Sequence, residues 1–411
     1  MTDATRNAAF DLVGAVLDHG RPLDSALDGL PAMPPRDRSA GHRLAACVLR
    51  RLGTLDAVLE PFLKKAPPAP VANILRIGAA GLLLLDTPPH AAVATAVGLA
   101  RSRGLVPFAG LVNAVLRRVA AEGPAVLETL DSPRLDTPAW LWTSWGKDAR
   151  AIATAHAQEA PLDLTLAPGA TLPEGALLLP TGSARLPAGT SVPEIAGYAA
   201  GGFWVQDAAA ALPARILAAR PGERVADLCA APGGKTAQLA SAGAQVTAVE
   251  QAQTRLARMA ENLARLRLSV TTVCADATAW KPDALFDAVL LDAPCTATGT
   301  IRRHPDAQHL KRPKDVVALA AGQDRLLEAA VAMLRPGGRL VYAVCSLQRE
   351  EGEQRFAAAL SRLPIRGVPI DAASLGLPEA ATREGWLRTT PALWPELGGM
   401  DGFFVGLAER Q

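Results

Sequence analysis

Residues 224–236, RVADLCAAPGGKT, form an apolar run that ends in a glycine turn, and residues 244–250, AQVTAVE, form a second apolar run. Each has the length and flanking turn residues of a strand. A helical stretch closing in RLARMAENLARL (255–266) leads to VTTVCAD (270–276) and DAVLLDAPC (287–295), two further strands. A helix near VVALAAGQDRLLEAAVAML (316–334) then leads into RPGGRLVYAVCSL (335–347), and another helix follows in EEGEQRFAAALSRL (350–363). Strand, loop and helix repeating in this order predict a doubly wound α/β sheet. In such a sheet the loops after the carboxyl ends of neighbouring strands converge on one crevice, so chemistry is sought there.

Outward from this region the chain changes character. Residues 1–130 carry apolar positions at helical spacing, punctuated by Pro22, Pro34-Pro35, Pro67-Pro68 and Pro88-Pro89, and read as an all-helical domain. Residues 131–200 hold Trp140, Trp142 and Trp145, then many Pro and Gly with short apolar runs. They read as a linking helix and a small α+β subdomain, with the tryptophans as packing anchors rather than base-stacking platforms. Residues 201–411 are the α/β domain. Three regions suit a chain of 411 residues, which is too long for one ordinary core.

Charge and cysteine usage narrow the function. The formal charge is only +2, so contact with nucleic acid has to come from local basic patches rather than from a basic whole. Cys47, Cys229, Cys274, Cys295 and Cys345 form no CxxC pair and no zinc spacing, so no metal is expected and a reduced, cytoplasmic protein fits best. The start, MTDATRNAAFDLV, does not read as a signal peptide. VANILRIGAAGLLLL (71–85) is short and carries Asn73 and Arg76, which favours a buried helix over a membrane span.

In AAPGGKT, Gly233 and Gly234 let the backbone approach a ligand closely. The run mimics the end of a phosphate loop, but Cys229 stands where that loop needs its first glycine, which demotes triphosphate hydrolysis. Acids close three successive strands: Glu250, Asp276 and Asp292. Taken singly, each is a helix cap or a surface charge. As an ordered set with the glycine turn they point to an adenosyl ligand, Glu250 accepting from ribose hydroxyls and Asp276 from an adenine amino group.

Cys295 and Cys345 each lie just past a strand end and face the same expected crevice. A pyrimidine becomes nucleophilic at carbon 5 only after a thiolate has added at carbon 6, so a cysteine of low pKa is required for methylation there. Lys235 is placed to stabilise the thiolate, and Asp292, held protonated or sharing a proton with the base, to stabilise ring nitrogen 3. Position alone leaves the duties of the two thiols interchangeable. Cys47, Cys229 and Cys274 read as chemically inert. Arg302, Arg303, Lys311, Arg312 and Lys314, in TATGTIRRHPDAQHLKRPK (296–314), suit phosphate contacts of a polynucleotide.

These residues resemble the RNA 5-methylcytosine methyltransferases that use S-adenosyl-L-methionine and two active-site cysteines. The resemblance spans DLCAAPGGKT, Glu250, Asp276, DAPCTATGTIRRHPD, the CSL segment and the terminal GGMDGFFVGLAER, roughly residues 200–411. It implies a Rossmann-like class I methyltransferase domain in which Cys229, Ala230, Ala231, Pro232, Gly233, Gly234 and Lys235 line the cofactor. Glu250 would hold its ribose, Asp276 its adenine side, and Asp292 would lie between cofactor and base. By the same resemblance Cys345 is the nucleophile and Cys295 assists release of the product. Three departures stand out: Val344 where the family commonly has Thr, Thr296 where Ser is usual, and His309 near a common aromatic position. The first is expected to weaken a hydrogen bond near the thiolate.

The helical domain is similar to the NusB family of RNA-binding proteins, through ILRIGAAGLLLLDTPPHAAVATAVGLAR (74–101) and FAGLVNAVLRRVA (108–120). Arg117 and Arg118 are its first candidates for RNA contact. A NusB-like domain ahead of this catalytic domain implies a bacterial methyltransferase of small-subunit ribosomal RNA, acting as a monomer. The rival readings are a transfer-RNA cytosine-5 methyltransferase, a DNA or small-molecule methyltransferase, and a noncatalytic RNA-binding or assembly factor with a vestigial cofactor site. The presence of both thiols argues against the last.

Overall fold

The computed structural model describes residues 3–411. The chain divides into two compact units, one of residues 1–159 with 301–311 and one of residues 160–300 with 312–411.

The first unit is helical. Its helices Ala4–Leu17, Pro35–Arg50, Ala69–Leu84, Pro89–Ser102 and Ala109–Glu128 enclose an apolar core that includes Leu12, Val48, Ile74 and Leu116. Pro34, Pro68 and Pro88 each sit at a helix N-cap, where a missing N–H costs nothing. The apolar stretch at 71–85 lies in one of these helices, and among the described residues no helix is long and apolar enough to cross a membrane.

The expected boundary at residue 130 differs from the observed one. Helices Ser132–Leu135, Ala139–Trp145 and Ala149–His156 belong to the helical unit. Asp136 ties them in, because its carboxylate accepts from the Thr54 N–H (2.7 Å), the Thr54 hydroxyl (2.8 Å) and Arg51 (2.8 Å). Trp145 is buried edge-on against His156, ring centroids 5.3 Å apart, as a packing anchor. Trp142 lies beneath the guanidinium groups of Arg134 and Arg150.

Residues 301–311 are also built into this unit. The Leu23 N–H donates to Asp306 (2.9 Å), Arg50 donates to the Arg302 carbonyl (3.0 Å), and the His309 ring lies 2.7 Å from the Leu49 carbonyl. This corrects the reading of Arg302 as a phosphate contact, since it is only 2% exposed. Burial, helped by Arg302 and Arg50, pushes the neighbouring His156 down to about 3. Arg303 and Lys311 are half-buried, while Arg312 and Lys314 are exposed.

The second unit holds two sheets. The smaller comprises β1 (Leu162–Leu166), β2 (Leu177–Leu178), β3 (Ala184–Leu186) and β4 (Phe203–Val205), in the order β2-β3-β1-β4. Arg185 and Asp163 form a buried bidentate pair across it, at 2.6 and 2.7 Å.

The larger sheet contains β5 (Arg224–Leu228), β6 (Gln245–Glu250), β7 (Thr271–Cys274), β8 (Phe286–Asp292), β9 (Leu334–Val344), β10 (Ile365–Val368), β11 (Leu387–Arg388) and β12 (Phe404–Arg410). Its path runs β10-β12-β9-β8-β5-β6-β7, with β11 paired to β12. Strands β5 to β9 are parallel, as the alternating pattern predicts, and β12 and β10 extend the sheet antiparallel. Both faces are covered. On β9, Leu340, Tyr342 and Val344 enter one apolar cluster, while Val341 and Ala343 enter the other. The order reverses beside β5, whose neighbours are β6 and β8, so the loops after these strands open on a topological switch point.

Candidate active site

The glycine turn after β5 is fixed by close packing. Gly233 has φ +100°, and a Cβ there would stand 2.5 Å from Met259 Cγ, so only glycine keeps this path. Thr236, one turn on, donates to Asp227 at 2.6 Å. Asp227 is fully buried, and that burial raises its carboxyl to about 7.

Glu250 and Asp276 flank a cavity of about 300 Å³ that Cys229, Ala277, Pro294 and Leu326 also line. The Glu250 carboxylate accepts from the Ala252 N–H at 3.0 Å and pairs with Arg255 at 3.2 Å. Arg255 donates in turn to the Ala231 carbonyl at 2.6 Å, bracing the turn of Ala230, Ala231 and Pro232 against the acid. Asp276 accepts from the Thr278 N–H and hydroxyl, at 2.9 and 2.8 Å, which hold its carboxyl below the usual range. An ionised carboxylate only accepts, so two acids beside one cavity suit a ligand rich in hydroxyl and amino donors. The site fits the adenosine part of S-adenosyl-L-methionine.

Beyond the cavity four groups converge. Lys235 Nζ lies 2.8 Å from Asp292 Oδ2 and 5.2 Å from the centre of the Phe403 ring. Burial opposes the Lys235 charge, but Asp292 first, then Cys345 and Asp227, outweigh it and raise its pKa. The loops after β8 and β9 bring Cys295 Sγ within 3.4 Å of Cys345 Sγ. The Cys345 contact, followed by burial, raises the Cys295 thiol well above its ordinary range. Cys229, the third cysteine here, is pushed up to about 12 by burial and the acids Asp292 and Glu250, so it stays protonated.

The sequence model of the family described as "16S rRNA methyltransferase RsmB/F" matches residues 214–408, and that of the NusB family matches residues 3–121. The ribosomal RNA small subunit methyltransferase B of Xanthomonas campestris pv. campestris is 37% identical, over 98% of this chain and 96% of that protein. The protein of the same name from Vibrio cholerae serotype O1 is 34% identical, over 99% and 97%. The chain belongs to the RsmB/F methyltransferase family. A crystal structure of a methyltransferase homologue from Pyrococcus horikoshii is also similar, 26% identical with a TM-score of 0.56, over 69% of this chain and 96% of that one.

For an RsmB/F methyltransferase, Lys235 contacts Asp292 and Cys295 contacts Cys345, with Cys345 near enough to Lys235 to act on its charge, and of the expected cofactor residues Cys229, Glu250 and Asp276 line the adjoining cavity. Arg117 and Arg118 lie exposed on helix Ala109–Glu128 of the helical unit. Sequence reasoning missed Arg255, Phe403, Asp227 and Glu351. Arg255 lies inside a stretch read only as helix, and Asp227 opens DLCAAPGGKT, where it was given no role of its own. Phe403 belongs to GGMDGFF, which entered as a matching motif without a role. Glu351 follows the CSL segment of Cys345 and resembles any acid at the start of a helix.

Proposed function

We propose that this protein transfers a methyl group from S-adenosyl-L-methionine to carbon 5 of a cytosine in 16S ribosomal RNA, through a covalent adduct of Cys345 at carbon 6. The observation that carries the reading is the pair of thiols 3.4 Å apart, beside the Lys235–Asp292 ion pair. The names of the full-length relatives supply the substrate. Residues Cys229–Lys235, Glu250 and Asp276 hold the cofactor, which when bound supplies an electrophilic methyl group.

The chain's own groups do the rest. Cys345, as thiolate, adds to carbon 6 and drives the ring's electron pair toward carbon 5, while Asp292, sharing a proton with the base, steadies ring nitrogen 3. The Cys345 contact and then burial raise the Cys295 pKa, which keeps the proton on this thiol while it faces the Cys345 sulfur. In the release step Cys295, having given that proton to solvent, takes the proton of carbon 5. The pair left behind re-forms the ring double bond and expels the Cys345 thiolate. A base buried in a helix or stacked loop has to be turned out first, at about a few kcal/mol, which contacts to phosphates from Arg117, Arg118, Arg303, Lys311, Arg312 and Lys314 help supply. The reading takes the protein as a cytoplasmic monomer.

Two variants test it. Cys345→Ala abolishes methylation without trapping RNA, whereas Cys295→Ala accumulates an RNA–protein complex that survives a denaturing gel. Adducts formed by the Cys345 variant and not by the Cys295 variant would reverse the roles. Mapping 5-methylcytosine in ribosomal and transfer RNA, with and without the protein, separates the 16S substrate from a transfer RNA.

A further inference from the structure

The residues that follow the two cysteines, Thr296 and Ser346, both point to one carboxylate. Glu351 Oε1 accepts from the Thr296 N–H at 2.9 Å and from Gln323 Nε2 at 3.2 Å. Its Oε2 accepts from the Thr296 hydroxyl and from the Ser346 hydroxyl, the latter at 2.5 Å. Gln323 Nε2 reaches Pro294 as well, donating to its carbonyl at 2.9 Å. Cys295 is therefore held from both neighbours and Cys345 from the residue after it.

The two hydroxyls also meet, 3.0 Å apart, and Ser346 Oγ lies 3.2 Å from Thr298 Oγ1, which accepts from the Leu347 N–H at 2.9 Å. Glu351 is itself fully buried, and the fully buried Tyr342 donates to its carbonyl at 2.5 Å. Strands paired side by side keep their backbones about 4.8 Å apart. The two sulfurs lie closer than that, at 3.4 Å, and the Glu351 carboxylate binds the residue after each cysteine, beside the Thr298 and Gly299 contacts that also join the two loops.

We propose that Glu351 is a positioning residue for methyl transfer: its carboxylate clamps the loops after β8 and β9 through Thr296 and Ser346 and so sets the distance between the Cys295 and Cys345 thiols. The proposal rests on the methyltransferase reading only for its catalytic consequence. Four donors converge on the two oxygens, so the clamp needs the ionised, acceptor-only form. Burial works against that form and raises the Glu351 pKa. Glu351→Gln keeps the size but turns one acceptor into a donor facing donors, which opens the clamp.

The test uses the full-length protein without RNA or cofactor. Diamide accepts the two electrons and two protons that the thiols give up in forming a Cys295–Cys345 disulfide, and alkylation followed by mass measurement gives the closure rate. The expected result is closure about 10-fold slower in Glu351→Gln and, with RNA and S-adenosylmethionine added, kcat about 100-fold lower. Cofactor affinity stays within about 2-fold. Closure at the wild-type rate in folded Glu351→Gln overturns the proposal, as does an equal fall in kcat and cofactor affinity. Should that variant not fold, Ser346→Ala frees only the Cys345 loop and is read by the same closure rate. A wild-type protein that closes its disulfide but methylates no RNA would sink the methyltransferase reading and leave the clamp standing.

Discussion

At the scale of single residues, Val344 beside Cys345 gives a sharp test of what the strand end is for. It is the last residue of β9, fully buried and opposite Phe404 of β12. Its side chain packs with Leu340, Tyr342 and Phe356, whereas Cys345 packs against the cluster of Val341, Ala343 and Phe403. Successive strand residues face opposite ways, so Val344 points away from the thiol. The sequence-based expectation that Val344 weakens a hydrogen bond at the thiolate is therefore replaced by a packing role. Val344→Thr sinks a hydroxyl into an apolar cluster and is expected to cost about 1–3 kcal/mol of stability while leaving the kcat of folded protein unchanged. Urea midpoints and initial rates check this, and a stable variant with altered kcat would restore the thiolate role. Cys295, Cys345, Lys235 and Asp292 were legible because each closes a strand or opens a helix. Glu351 was not, because its partners come from two loops and a helix far apart in sequence.

At the scale of elements, the loop after β8 is shaped by a glycine pair that its own sequence does not announce. The Gly299 N–H donates to the Cys345 carbonyl at 3.0 Å, and the Gly402 N–H donates to the Gly299 carbonyl at 2.8 Å. A Cβ on Gly299 would lie 2.0 Å from the Gly402 carbonyl oxygen, a backbone atom that cannot turn aside. The terminal GGMDGFF segment therefore presses directly on the thiol loop, which gives that motif a physical role. Gly299→Ala is expected to lower stability by about 1–3 kcal/mol through overpacking. It should also reduce kcat about 100-fold by displacing Cys295. Thermal midpoints and methyl incorporation at saturating cofactor measure the two effects, and a wild-type kcat would show that the Gly299–Gly402 packing does not place the loop. The parallel strands were readable from apolar runs bounded by turn residues, as in RVADLCAAPGG. The antiparallel additions β10 to β12 were not, because β12 pairs with β9, up to about 70 residues earlier, β10 and β11 in turn pair only with β12, and short strands carry weak periodicity.

At the scale of the whole molecule, segment boundaries followed composition only in part. Residues 131–200 looked uniform because Pro, Gly and Trp recur through them, yet they divide between the two units after Glu159. Burial decided the division: Asp136 commits its acceptors to Thr54 and Arg51, and Trp145 closes over His156. Residues 301–311 cross over for the same reason, anchored through Asp306 and the Leu49 carbonyl, so a basic run that looks like a free surface loop includes a buried arginine. With a net charge of +2, the protein has little long-range pull on a polyanion, and the salt dependence of RNA binding has to come from a few exposed cations. Arg117 and Arg118 are exposed neighbours, Arg118 lying 4.8 Å over the Phe62 ring and 3.4 Å from Glu122. Every phosphate that a cation ceases to neutralise takes about 0.7–0.9 from the slope of log affinity against log salt. The double reversal Arg117→Glu with Arg118→Glu should therefore weaken binding to a 16S fragment and flatten that slope by about 1.5, with cofactor affinity unchanged. Anisotropy titrations over a salt series decide the matter: an unchanged slope would move the RNA contact off this helix, and a parallel fall in cofactor affinity would mean that the substitutions damage the fold instead.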